Sequence, residues 1–294
     1  MARILDFQCT YENNSGFGSW ILDEPDIRFP QAYTDCEMMM SLALKVKAQN
    51  SAAFCQLPFC HTLEAEALGG EIRLGDGVCG PRIGGHRCHS LEEILELPEL
   101  DIRGKQSTRL RETVEACRRL RHAGEEVLFL TSGPITILNG LIDAETLFLA
   151  MLRQPELVKK VLWKLGKDIL NVMKMAEMAS VRFISYADPA GSVGIVGPKI
   201  GARVVEDFTA EFLKIVDREL ESGTMILLCP KTALALIGTE YAVWKEHELP
   251  EPMEYLEAAR SMNNMMEIRF AGQDCINHTG YKLENKIWKE LVLK

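Results

Sequence analysis

Short uninterrupted apolar runs alternate along the chain with longer segments whose apolar residues recur every three or four positions. The clearest runs are EVLFLTS at 126–132, VRFISYA at 181–187 and TMILLC at 224–229. Runs of this length that end near glycine or proline predict strands buried on both faces. The periodic segments at 107–124 and 204–223 predict amphipathic helices. This alternation predicts βαβ units and a parallel sheet.

The remaining segments extend the same pattern toward both ends. Ser90 followed by Glu93 forms a capping-box pattern at the start of one predicted helix. A helix is predicted to end at the glycines of 69–70, and the glycine-rich segment after it is predicted to form a hairpin or an excursion. The predictions are a strand in 51–60, a helix in 62–70, a hairpin in 71–90, a helix in 90–100, a strand in 266–280 and a closing helix in 282–294.

No long linker or low-complexity segment divides the 294 residues, so the sequence predicts a single domain over 1–294. No glycine fingerprint for a nucleotide opens any of the predicted helices. The fold class is predicted as α/β, with a (β/α)8 TIM-type barrel favoured because its usual length is close to that of this chain. A doubly wound sheet is the structural alternative.

Charge and composition restrict the kinds of partner. The net charge of -9 and the pI of about 5.3 argue against binding to nucleic acid or to an anionic membrane surface. No apolar segment is long enough for a signal peptide or a membrane span, so a cytoplasmic protein is expected. The nine cysteines include no CxxC pair, and an odd number of them predicts reduced thiols rather than a disulfide framework.

Chemically capable side chains follow several of the predicted strands, where a barrel gathers its functional groups. Cys229 and Cys275 each end a strand, and His278 follows in the same polar loop as Cys275. Thiolates and imidazoles are the usual protein ligands of zinc, so these three residues are predicted as a metal site. The other strand-end candidates are Cys55, Cys60, Thr131, Ser132, Tyr186, Asp188, Asp274 and Asn277.

Simpler structural interpretations stand beside these. A cysteine is most often a small buried apolar residue, and Cys117 is predicted to be one from its helical periodicity. Asp188 precedes a proline, so capping of a turn is an alternative to a ligand role. Glu64 and Glu66 lie on one predicted helix and are interpreted as a solvated face.

Six segments resemble the uroporphyrinogen decarboxylase superfamily, and within it the corrinoid-dependent methyltransferases. They occur in the order expected for that superfamily and together span about residues 55–288. The resemblance implies a (β/α)8 barrel. The segments are LPFCHTLEAEALGGEI, SLEEILELPELD, VLFLTSGPITILNGLI, DPAGSVGIVGPKIGARVVEDFTAEFLKIV, ILLCPKT and DCINHTGYKLENKIW.

The resemblance also implies a zinc site. Methyltransferases of this kind bind zinc through a His-x-Cys pair at one strand end and a second cysteine near the C-terminus. Cys229 and Cys275 match the two cysteines, but Leu227 occupies the histidine position. Either another residue completes the ligand shell, with His278, Asp274, Asp188 and Cys60 as candidates, or zinc binding is weakened or lost. The stretch between the two cysteines is short for the family, which implies a barrel shortened between its last strands.

The function implied by the resemblance is zinc-dependent methyl transfer between a corrinoid protein and a small thiol acceptor. Asp188 and Ser192 are predicted to orient the acceptor, while Thr131, Ser132 and Cys60 are predicted to line the same mouth. The alternatives are a methyl-donor:corrinoid methyltransferase working in the opposite direction and a non-catalytic corrinoid- or tetrapyrrole-binding member. Decarboxylation ranks lower because the N-terminal FQCTYENNSGFGSW contains no arginine to hold porphyrinogen carboxylates.

Overall fold

The computed structural model describes residue 7, residues 17–278 and residues 280–294. Cys9 and most of the arginine-free segment FQCTYENNSGFGSW lie outside the described residues. The chain forms two compact units, of which one ends at Val181 and the other runs over Arg182–Lys294. We call them the N-terminal unit and the C-terminal unit.

The N-terminal unit combines a parallel strand pair, an antiparallel hairpin and seven α-helices among its described residues. β1 and β4 run parallel, with Cys55 opposite Val127, and β2 and β3 form the predicted hairpin. In chain order the elements are α1 (Cys36–Gln49), β1 (Cys55–Leu57), α2 (Leu63–Ala67), β2 (Glu71–Arg73), β3 (Arg82–Gly85), α3 (Leu91–Glu96), α4 (Thr108–His122), β4 (Val127–Ser132), α5 (Pro134–Leu141), α6 (Ala144–Arg153) and α7 (Pro155–Met178).

Local sequence signals account for most of these boundaries. The hydroxyl of Ser90 accepts a hydrogen bond from the backbone N–H of Glu93, as expected of the residue that caps α3. Pro134 and Pro155 occupy the first turns of α5 and α7, where the missing N–H costs no helical hydrogen bond. All six residues of β4 are buried, which explains why its first four residues are all apolar.

The C-terminal unit contains a five-stranded mixed sheet. Its strand order is β5-β6-β8-β9-β7; β5, β6 and β8 run parallel, whereas β9 is antiparallel to both of its neighbours. A π-helical turn at Val205–Thr209 joins two of its helices. In chain order the elements are β5 (Phe183–Ala187), α8 (Val193–Val196), α9 (Pro198–Val204), α10 (Ala210–Glu219), β6 (Met225–Leu228), α11 (Pro230–Gly238), β7 (Ala242–Glu248), α12 (Tyr255–Met265), β8 (Phe270–Ala271) and β9 (Ile287–Leu293).

The prediction of a closing helix is wrong, because the last segment is the strand β9. All seven of its residues pair with β7, from Ala242 opposite Leu293 to Glu248 opposite Ile287. Trp288 is completely buried and stacks on Tyr255 at a centroid distance of 6.4 Å. Long-range pairing and burial of an aromatic residue therefore override the helical preference of the lysine- and glutamate-rich sequence.

Parallel strands connected by helices confirm the predicted α/β class. In the C-terminal unit the parallel series stops at β8, and the antiparallel β9 and β7 follow it in the sheet, which is where the sequence predicts a shortened barrel. Within the described residues, no helix combines the length and the apolar content needed to cross a bilayer.

Candidate functional site

Two cysteines of the C-terminal unit follow neighbouring parallel strands. β6 and β8 pair with Leu227 opposite Ala271, and Cys229 and Cys275 come two and four residues after these partners. Cys229 is also the residue that precedes the first turn of α11, and its carbonyl oxygen accepts hydrogen bonds from the N–H groups of Thr232 and Ala233 at 2.9 and 3.1 Å. Both thiols are half-buried, and neither is in a disulfide. The two predicted thiols thus lie after the same ends of adjacent strands.

The loop after β8 holds a histidine in a fixed orientation. The backbone N–H of His278 donates to the carbonyl oxygen of Cys275 at 2.9 Å, which closes a turn. The Nδ1 of His278 lies 3.0 Å from both carboxylate oxygens of Asp274, and the ring of Tyr281 contacts the imidazole at a centroid distance of 4.0 Å. Asp274 Oδ1 also accepts the N–H of Cys275 at 2.7 Å. Asp274 therefore positions both the imidazole and the backbone beside Cys275.

The described side chains do not fit a three-ligand zinc site. In the described ranges, no three His, Cys, Asp or Glu side chains come together closely enough to hold a metal ion. Leu227, at the position where the resemblance implies a histidine, is completely buried within β6 and offers no ligand atom. The structure does not group Cys229, Cys275 and His278 as a metal-binding triad.

Asp188 and Ser192 line one cleft of the C-terminal unit, together with Tyr186 and Lys231. Asp188 precedes the short 3₁₀ turn Pro189–Gly191, and its side chain makes no cap hydrogen bond to that turn. The Oγ of Ser192 is buried and has no hydrogen-bond partner in the described part of the chain. Burial raises the pKa of the Tyr186 phenol well above its ordinary value, and the neighbouring Asp188 adds to the shift. The unused hydroxyl of Ser192 thus lies in a narrow cleft with a free volume of about 30 Å³ that Lys231 also lines.

A buried carboxylate organises a second polar cluster, within the N-terminal unit. Glu64 is only 2% exposed, and its Oε1 accepts the hydroxyl of Thr131 and the backbone N–H of Ser132, each at 2.9 Å. The interpretation of Glu64 as part of a solvated face is therefore wrong. Thr131 and Ser132 are themselves buried, and the predicted mouth residues are held by this carboxylate.

Two buried polar atoms of this cluster lack protein partners. The Nδ1 of His61 and the Oγ of Ser132 are inaccessible and make no hydrogen bond within the described residues. Burial lowers the pKa of His61, and the nearby Glu64 carboxylate opposes that shift only in part. His61 is therefore neutral near pH 7.

Arg109 connects Cys60 to this region and was not identified from the sequence. It is 4% exposed; its Nε is paired with the carboxylate of Glu66, and its terminal nitrogens donate to Cys60 Sγ at 3.2 Å and Thr62 Oγ1 at 2.9 Å. Glu66 is thus an ion-pair partner and not a member of a solvated face. The signal available in the sequence was the helical spacing that places Arg109 in one stripe with Thr113, Ala116 and Leu120, because a charged residue in a buried stripe must have a partner.

Parallel strands followed by thiols, carboxylates and hydroxyls define an α/β protein of the kind that carries its functional groups after the strands. The model of the uroporphyrinogen decarboxylase (URO-D) family matches residues 23–242, which is more than half of the chain. The chain belongs to this family. The predicted membership is thereby confirmed.

Relatives within this superfamily include methyltransferases. The methylcobamide:CoM methyltransferase MtaA of Methanosarcina barkeri is 22% identical over 214 residues, which cover 72% of this chain and 61% of the relative. The chain thus spans about three fifths of the length of that relative. A solved methyltransferase from Methanosarcina mazei is 21% identical, with a TM-score of 0.62 over 74% of this chain and 64% of its own. This likeness confirms the predicted fold.

A further relative matches only a segment. The arginine-specific large chain of carbamoyl phosphate synthase from Arabidopsis thaliana is 30% identical over 129 residues. Those residues cover 42% of this chain but 10% of that protein, so this similarity carries no functional argument.

Proposed function

We propose that this protein is a corrinoid-dependent methyltransferase that moves a methyl group between a corrinoid protein and a small thiol. The observation that carries the proposal is the pair of thiols, Cys229 and Cys275, that follows the adjacent parallel strands β6 and β8. The similarity to a methylcobamide:CoM methyltransferase supports the same reaction class. We also propose that the substrates are a methylated corrinoid and a small thiol, and that a separate corrinoid protein is the partner.

The proposed reaction is an attack of the acceptor sulfur on the methyl group of a methyl-cobalt(III) corrinoid. A sulfur–carbon bond forms while the cobalt–carbon bond breaks, and its electron pair stays on the metal, which leaves as cobalt(I). The acceptor must lose its proton, because the thiolate and not the thiol is the nucleophile. The protein therefore has to bind the thiol, accept its proton and present the sulfur to the corrinoid.

His278 is the base that we assign to this proton. Asp274 holds Nδ1 of the ring from one side, which favours the tautomer whose other nitrogen, Nε2, accepts a proton. The cleft with Asp188 and Ser192 is proposed to orient the acceptor. Substrate contacts by Thr131, Ser132 and Cys60 stay predictions. Glu64 accepts hydrogen bonds from Thr131 and Ser132, and Arg109 donates one to Cys60.

No reaction step is assigned to zinc, because the described side chains do not form a three-ligand site. Zinc binding by Cys229 and Cys275, with His278 as the third ligand, stays a prediction, and metal analysis of the purified protein tests it. A working zinc site would give about one zinc per chain in the unaltered protein and less in Cys229→Ser and in Cys275→Ser. The two thiols must be reduced whether or not they bind zinc, so we propose that the protein is cytoplasmic.

Methyl transfer by cysteine variants tests the proposal. Transfer from methylcobalamin to a thiol is expected to be lost in Cys229→Ser and in Cys275→Ser. Cys79→Ser is the matched control, because Cys79 is an exposed thiol of the N-terminal unit that follows no strand of the parallel sheet. Full activity in both strand-end variants would contradict the role of the pair. Methylation of cobalt(I) without any thiol would indicate the opposite direction of transfer instead.

A further inference from the structure

The N-terminal unit contains a cavity whose lining is positively charged, although the whole chain is negatively charged. Its volume is about 590 Å³, and three cations, Arg87, Lys105 and Arg109, line it against one carboxylate, Glu66. Cavities of roughly 300–1,000 Å³ are typical of small-molecule sites. A local excess of positive charge in a protein with a net charge of -9 concentrates anions at this point.

The four charged groups do not neutralise one another evenly. Glu66 is taken up by the Nε of the buried Arg109. The guanidinium of Arg87 donates to the carbonyl oxygen of Leu68 at 2.7 Å, and neither it nor the ammonium of Lys105 forms an ion pair within the described ranges. Two full positive charges therefore face the cavity without a counter-charge from these residues.

The backbone around the cavity is built to accommodate Arg87. Gly69 has a φ of +91°, and a Cβ placed on it would lie 1.8 Å from a terminal nitrogen of Arg87. The positive φ favours glycine at this position, and a side chain there would also displace the guanidinium of Arg87 from the end of α2. The hydrogen bond to Leu68 then fixes the guanidinium at the cavity, so its position is defined before any ligand binds.

From this geometry we propose that the cavity binds the carboxylate or phosphate group of a small organic anion, with Arg87 and Lys105 as its charge partners. Arg87 supplies a planar set of donors, as anionic oxygens require, and Lys105 supplies a point charge. Three of the five N–H groups of Arg109 contact Glu66, Cys60 and Thr62, and the other two can extend the site. The cavity is too large for a single ion, so the anion is the charged end of a larger molecule. This inference is independent of methyl transfer.

Calorimetric titration of the full chain with pyrophosphate and with citrate tests the inference, and glucose serves as an uncharged probe. We expect saturable one-site binding of at least one anion and none of glucose. Arg87→Gln and Lys105→Gln should each weaken it by about tenfold, which corresponds to the loss of one charge-assisted contact. Tighter binding of pyrophosphate would identify a phosphate as the preferred group, and tighter binding of citrate would identify a carboxylate.

Two further variants make the test specific. Arg153→Gln is the matched control, since Arg153 lines a different, smaller cavity of the same unit, and it should leave the affinity unchanged. Glu66→Gln keeps a hydrogen-bond acceptor for Arg109 but removes the negative charge, so it should tighten binding by about threefold or more. Absence of saturable anion binding by the unaltered chain would overturn the proposal. Equal weakening by Arg153→Gln would do the same, because it would indicate unspecific attraction.

Discussion

Glu64 joins helix α2 to the end of strand β4 through two hydrogen bonds that it accepts in a buried environment. Glu64→Ala would leave the hydroxyl of Thr131 and the N–H of Ser132 without their acceptor. We expect the free energy of unfolding to fall by about 2–4 kcal/mol, since each buried group left unsatisfied costs about 1–3 kcal/mol. Urea denaturation measures this change.

Two variants serve as controls for this effect. Glu64→Gln keeps the Oε1 acceptor and should cost less than the alanine variant. Glu92→Ala removes an exposed carboxylate from α3 and should stay within about 0.5 kcal/mol of the unaltered protein. Equal stability of Glu64→Ala and Glu92→Ala would contradict the structural role of the buried carboxylate.

His61 gives the protein a specific dependence on pH. Because burial lowers its pKa in the folded state, the unfolded chain binds more protons below the ordinary histidine pKa of about 6.5. Stability is therefore fully present above that value and is lost as the pH falls, by up to about 1.4 kcal/mol per pH unit from this group. His61→Gln should show a shallower loss between about pH 6.5 and pH 5. Identical pH profiles for the variant and the unaltered protein would rule His61 out as the cause.

The sequence identified several side chains that follow strands, but it did not identify the buried charges that contact Thr131, Ser132 and Cys60. Cys229, Cys275, Asp188 and Ser192 were recognised because they follow predicted strands. Glu64 and Arg109 were not, since a charged residue on a helix is usually solvated and only the folded chain shows what lies next to it. The partner of a buried charge comes from another element: Arg109 lies 43 residues from Glu66 along the chain.

At the scale of elements, helices α2 and α5 pack so closely that position 140 has no space for a residue larger than glycine. A Cβ on Gly140 would lie 2.6 Å from the Cβ of Ala65. Gly140→Ala should therefore destabilise the protein by about 1–3 kcal/mol, although alanine is the better helix former, because overpacking forces the helices apart. Differential scanning calorimetry measures the expected drop in Tm.

A second substitution separates this clash from other effects of Gly140→Ala. Ala65→Gly in the Gly140→Ala background removes the opposing methyl group and should recover part of the lost Tm. Asn139→Ala, at the neighbouring half-buried position of α5, should change Tm less than Gly140→Ala. A Gly140→Ala protein more stable than the unaltered one would contradict the close packing of α2 on α5.

Element prediction worked where local pattern and tertiary environment agree. β4, β5 and β6 are mainly apolar because both faces of each are almost entirely buried, and α4 shows the expected amphipathic stripe. The prediction failed for β9 because the longer segment 282–294 that contains it is rich in lysine and glutamate, while its strand state depends on seven pairs with β7. That partner is about 45 residues away in sequence, and no local window contains it.

For the whole molecule, the α/β class and the URO-D membership follow from the order of strand-end segments along most of the chain. The three-ligand zinc site implied by the resemblance does not follow, since Leu227 removes one ligand and no described group of three replaces it. Metal ligation depends on side chains brought within bonding distance by the fold, so matched positions in the sequence predict it only in part.

The central claim is methyl transfer from a corrinoid to a thiol, and anaerobic absorption spectroscopy of a single reaction mixture tests it most directly. Methylcobalamin is mixed with the unaltered protein and with a small thiol, and the formation of cob(I)alamin is followed. We predict that cob(I)alamin appears only when protein and thiol are both present. Absence of cob(I)alamin from the complete mixture, with the protein folded and its thiols reduced, would contradict the claim.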